Sequence, residues 1–150
     1  MKAELHYQQN SLILEDVRYN RMAKKDCEYD NDTHVFVRAV SGFFAGTATF
    51  ECNLEDLKQL AEDLVSMYAF QKERAVLMDS DYGSEIEFRM QKTGRFAVGG
   101  DLYGDYCGNN TLCFEFEADQ TVLLPFVREL EALIENAMRP KEKHVSSPDV

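Results

Sequence analysis

Long apolar runs are missing from these 150 residues: no stretch of about 18 occurs, which excludes a membrane-spanning helix. The N-terminal MKAELHYQQN has neither the basic n-region nor the apolar h-region of an export signal, so a cytoplasmic location is expected. Basic residues are scarce as well. Sixteen Lys and Arg stand against 27 Asp and Glu, a formal net charge of −11 that repels nucleic-acid phosphates and anionic lipid headgroups alike. Neither nucleic acid nor membrane is therefore expected as a direct partner, and a basic protein is.

Catalytic signatures are also lacking. There is no Gly-x-Ser-x-Gly, no P-loop and no dinucleotide fingerprint; Gly99, Gly100, Gly104 and Gly108 fall in strand and turn context, away from any helix N-terminus. His6, His34 and His144 are scattered, and no Cys-x-x-Cys or His-x-x-x-His pair supplies zinc-like spacing. Asp26, Glu28, Asp30 and Asp32 alternate like hard-cation ligands, but the stretch has no glycine for the turn and no bidentate Glu at the twelfth position. No cofactor or metal is expected. One nucleophile remains open to spatial pairing, Cys27 or Cys52 with His34, because sequence does not report adjacency. The four cysteines, Cys27, Cys52, Cys107 and Cys113, lie in a chain with 45% hydrophobic residues, enough for a core without disulfide staples, so reduced thiols are expected.

What is present is a pattern of strands broken by two helices. Segments 11–20, 33–40 and 43–53 are rich in aliphatic, aromatic and β-branched residues and read as strands, with Gly42 allowing a hairpin and Gly46 marking a bulge or a close backbone approach. From Asn53 the period changes: Leu54, Leu57, Leu60, Ala61, Leu64, Val65 and Tyr68 recur on one helical face. This predicts a helix over 54–71 with Asn53 as N-cap and Asp56 completing a capping box. Strands follow at 74–79, 84–91, 94–104 and 111–118, with a tight turn at Lys92-Thr93-Gly94 and a bulge at Gly99-Gly100. A second helix carries Leu123, Phe126, Val127, Leu130, Leu133, Ile134 and Ala137 and ends before Pro140; Asp119 or Thr121 caps it, and Pro125 limits where it starts. The fold class is α+β: an antiparallel β-sheet meander with two amphipathic helices packed on one face. Residues 1–139 form a single domain, and 140–150, polar and without period, a disordered tail.

Alternation then assigns a charged face. Glu85 and Glu87 oppose Ile86 and Phe88, and Glu115 and Glu117 oppose Phe114 and Phe116, so these four, with Asp101, fall on the open sheet face, offset in part by Arg89. No Lys or Arg occurs between Arg95 and Arg128. The candidate partner-binding residues are Glu85, Glu87, Asp101, Glu115 and Glu117, with loop acids Asp26, Glu28, Asp30, Asp32 and Asp105. Reversing the four glutamates to Lys is expected to weaken binding, and to relieve a repulsion that costs stability.

The strand FFAGTATFECN feeding the capped helix NLEDLKQLAEDL, the hairpin EIEFRMQKTGRFAVGGDL and, above all, CFEFEADQTVL leading into the last helix resemble the WapI-like family of small bacterial immunity proteins over roughly residues 33–137. The resemblance implies a non-enzymatic inhibitor that binds a cognate toxin of contact-dependent competition, and it transfers no site residues. Joined to the charge, it suggests a basic toxin domain, a nuclease among the candidates, whose nucleic-acid groove acidic side chains would fill. The alternative is a regulatory domain whose sheet cradles a small molecule.

Overall fold

The computed structural model describes residues 1–22, 31–104 and 110–140. Short hairpins dictate its topology. Strand β1 (Lys2–Tyr7) turns through Gln8 and Gln9 into β2 (Asn10–Tyr19), and β3 (Thr33–Ser41) turns through Gly42 and Phe43 into β4 (Phe44–Cys52). Helix α1 (Leu54–Tyr68) ends this half. The second half repeats the plan, with β5 (Arg74–Met78), β6 (Glu85–Met90), β7 (Arg95–Tyr103), β8 (Thr111–Asp119) and α2 (Leu123–Met138). The α+β class, the antiparallel meander and both helices are as the sequence implies. The meander is divided by α1 into two four-stranded sheets, ordered β1-β2-β3-β4 and β5-β6-β7-β8.

Helix α1 buries Leu54, Leu57, Leu60, Ala61 and Leu64 as its periodicity implies, but its inward face continues through Met67, while Val65 and Tyr68 are exposed. Helix α2 buries Leu123, Phe126, Val127, Leu130, Leu133 and Ile134, with Ala137 half-buried near its end. Helix α1 packs on β5 and α2, while α2 packs on β1 and β2 and brings Phe126 to Phe88 of β6, ring centroids 5.9 Å apart. One apolar cluster thus spans both sheets, with Phe50, Phe88, Phe96 and Phe126 fully buried; each such side chain contributes about 2–3 kcal/mol by leaving water. The sheets also meet directly where β3 and β4 approach β7 and β8. There Gly46 earns its place as a close approach, since an added Cβ would stand 2.9 Å from Leu112 while the β3–β4 register runs on unbroken.

Three local expectations change. Strand β1 has no counterpart in the sequence reading, because only Ala3 and Leu5 mark its inner face and its turn, with Gln8 at φ 57, lacks the usual glycine or asparagine. The bulge expected at Gly99-Gly100 is absent, as both neighbouring registers pass through it evenly. A register shift lies instead in β2 between Glu15 and Arg18, where Asp16 takes φ 54. Helix α1 stops at Tyr68 rather than 71. Its C-terminus closes in a Schellman turn: Phe70 N–H donates to the Met67 carbonyl at 3.0 Å and Gln71 N–H to the Ser66 carbonyl at 2.8 Å.

The start of α2 resolves the choice of caps. Asp119 accepts the Thr121 N–H at 2.8 Å and opens a single 3₁₀ turn, Gln120–Val122, before the α-helix proper. Pro125 is then the third helical residue, where its missing N–H would have had no intrahelical partner anyway. The expected disordered tail lies, apart from Pro140, outside the described residues.

Candidate partner-binding surface

Register brings the acids of three strands together. Across the outer face of the second sheet, Glu85 stands opposite Asp101 and Asp101 opposite Cys113; one row on, Glu87 and Glu115 flank Gly99. Because Gly99 has no side chain, the middle of this face is hollow. The result is a concavity of about 480 Å³ with Gly99 and Ala97 as floor and Glu85, Glu87, Asp101, Glu115 and Arg89 as walls. Gly99 is also required by packing, since a Cβ there would come within 2.9 Å of the Phe114 carbonyl oxygen.

The face is less negative than alternation along β6 and β8 suggests. Arg74 of β5 lies 2.9 Å from Glu87 and 3.8 Å from Glu85; Arg89 reaches Glu115 at 3.1 Å and Glu87 at 3.7 Å; Arg95 reaches Glu117 at 3.6 Å. Five carboxylates therefore face three guanidiniums, where the sequence reading set Arg89 alone against them. Arg74 was legible in principle, since alternation with buried Ala75 and Leu77 puts it on this side of β5. Glu115 and Glu117 remain more than half exposed despite their partners. A hydrogen bond to Asp101 holds the exposed Cys113 thiol above its ordinary value, with the negative Asp101 adding to the effect.

The remaining candidates are elsewhere. Asp32 immediately precedes β3 and is committed to structure: its carboxylate accepts the Leu54 N–H at 2.8 Å in the first turn of α1 and the Thr33 hydroxyl at 2.8 Å. Asp26, Glu28, Asp30 and Asp105 lie outside the described residues. Asp79, which the sequence does not single out, is buried and takes three backbone N–H groups, from Glu51, Asp81 and Tyr82, at 2.9, 3.0 and 2.9 Å. It ties β4 to the turn after β5.

The nucleophile pairing left open by the sequence does not form for Cys52. Its thiol faces the core, while His34 points out of the sheet towards Glu51 at 3.4 Å. Burial pushes the Cys52 thiol up to about 12, and Asp56, Asp32 and Asp79 reinforce the shift. A thiol held neutral in this way is a poor nucleophile. Cys27 lies outside the described residues. Among the described residues, no group of three His, Cys, Asp or Glu side chains is placed to hold a metal, and no helix is long and apolar enough to cross a membrane.

Residues 5–138 match the immunity protein WapI-like family. The chain belongs to that family. Membership implies a toxin as the partner and a role in neutralising it. No curated protein sequence matches the chain. Among solved structures, the WapI-like chain is similar to the plant transcriptional regulator PBF-2, with a TM-score of 0.50 and 8% identity over 94% of this chain and 97% of that one. It is also similar to WHY3 from Arabidopsis thaliana, with a TM-score of 0.50 and 6% identity over 89% and 86%. At such identity the likeness is one of fold alone.

Proposed function

We propose that this WapI-like protein neutralises a basic toxin domain by covering it with the outer face of the second sheet. The observation that carries the reading is the net-negative, hollow sheet face on which Glu85, Glu87, Asp101, Glu115 and Glu117 converge. Ion pairs with Arg74, Arg89 and Arg95 pre-position the four glutamates, so little side-chain freedom is lost on binding. Against a nuclease, carboxylates in this array would stand where the phosphates of the substrate stand, and the site would be blocked without chemistry. The small-molecule alternative is served less well, because the concavity is walled by charge where ligand pockets are mostly apolar.

The experiment is co-expression with the toxin domain encoded beside this gene, followed by binding of the two purified proteins. Growth rescue and tight binding are the expected results. A toxin domain that kills equally with and without this protein would sink the reading.

A further inference from the structure

We infer that the tip of the β3–β4 hairpin, Phe43 with Phe44, is the apolar anchor of the same interface, and that it seats in a socket on a basic protein partner whose rim carries Lys or Arg. This rests on the toxin-binding reading above. Ser41 pairs with Phe44, so Gly42 and Phe43 are the two central residues of the turn, and Gly42 supplies the positive φ of 63 that it needs. Nothing in the turn needs a phenylalanine at 43, a position where small polar residues are usual. Yet Phe43 is 101% exposed and Phe44 72%. Two adjacent aromatic rings in water form an exposed apolar patch of the kind that marks an interaction site.

The tip is held in place. Asn10 Oδ1 accepts the Gly42 N–H at 3.0 Å, and the Ser41 hydroxyl donates to the Glu115 carbonyl of β8 at 3.3 Å. Between the tip and β8 runs a groove of about 430 Å³, with Phe44, Leu112 and Phe114 on its apolar side and Glu115 on its acidic side. Phe114, Cys113 and Glu115 also line the hollow of the acidic face, so the two surfaces are continuous. Aromatic side chains that fill a pocket on the partner carry a large share of the binding energy at protein interfaces. The neighbouring carboxylates select the occupant: they repel anionic lipid and a second copy of this acidic chain, and attract a cationic protein surface.

The test measures association and dissociation rates of the purified neighbouring toxin domain with wild type, Phe43→Ser and Phe44→Ser. Dissociation should speed up by about 30-fold or more in each variant, with association changed by less than about threefold because the charges stay. Phe43→Ser touches nothing inside the fold, so its melting temperature should match wild type and any loss of binding is a loss of contact. Unchanged dissociation in both variants, beside a wild type that binds, overturns the anchor while leaving the immunity reading intact. Failure of the wild type to bind removes that reading, and the anchor with it. Flotation with phosphatidylserine vesicles and sedimentation of the protein alone complete the test; vesicle binding or dimerisation abolished by Phe43→Ser would assign the tip to lipid or to a second copy and overturn the proposal.

Discussion

Gly100 shows how a single residue can carry a whole strand pairing. Its φ of 153 is one that side-chain-bearing residues rarely adopt, and a Cβ there would overlap the Glu85 carbonyl oxygen across the β6–β7 pair. Gly100→Ala must therefore disrupt the sheet that carries the acidic face; destabilisation by about 2–4 kcal/mol is expected in urea unfolding, and a change within error would mean that β6 can move aside. Cys52 makes a second residue-scale prediction. The unfolded thiol ionises around 9.0 and the folded one around 12, mainly because of burial. The folded state holds its proton more tightly, so the contribution of this group is complete below the unfolded value and is lost as pH rises from there towards the folded one, at about 1.4 kcal/mol per pH unit. Wild type should lose stability across that window faster than Cys52→Ala; parallel curves would show that the thiol ionises freely.

At the scale of elements, the ends of α1 are where local sequence and fold disagree most usefully. Phe70 closes the Schellman turn at φ 59, a conformation that glycine adopts without strain and a bulky residue does not. The ring is largely exposed, so Phe70→Gly loses little packing and should raise stability by about 0.5–1 kcal/mol in chemical denaturation. A loss instead would show that the ring packs more than its exposure suggests. At the other end, Asp32 and Asp56 supply the side-chain acceptors: Asp56 takes the Asn53 N–H at 2.8 Å while Asp32 takes that of Leu54. Asp32→Ala should cost about 1–2 kcal/mol of stability and leave toxin affinity unchanged. A binding loss without a stability loss would return Asp32 to the interface, where charge counting alone would put it.

Across the whole molecule, the three arginines reverse one expectation. If the glutamates only repelled one another, turning Glu85, Glu87, Glu115 and Glu117 to Lys would relieve strain; with Arg74, Arg89 and Arg95 among them, it gathers seven cations on one face. The quadruple variant should lose about 1–3 kcal/mol in thermal or urea unfolding, and the neutral Gln version is the cleaner probe of binding. With Gln at all four positions, association with the toxin domain should slow and its salt dependence should flatten, because steering between surfaces is screened beyond about 10 Å at 0.1 M salt. Equal salt slopes for wild type and the Gln variant would place the interface away from this sheet.

Sequence alone determined the class, both helices, seven of the eight strands among the described residues and which side of β6 and β8 the glutamates take. These follow from periods of 3.6 and 2, and periodicity is a local property. Strand β1 escaped because two inward residues and a Gln-Gln turn are too weak a local signal. Only the tertiary structure decided the rest, because it depends on which strands become neighbours. The split into two sheets, the pairing of Glu87 with Arg74 and of Glu115 with Arg89, the hollow over Gly99 and the placing of the Phe43–Phe44 tip beside β8 are all contacts between segments far apart in the chain. Alternation assigns a residue to a face, but the register and order of strands decide which charges on that face meet.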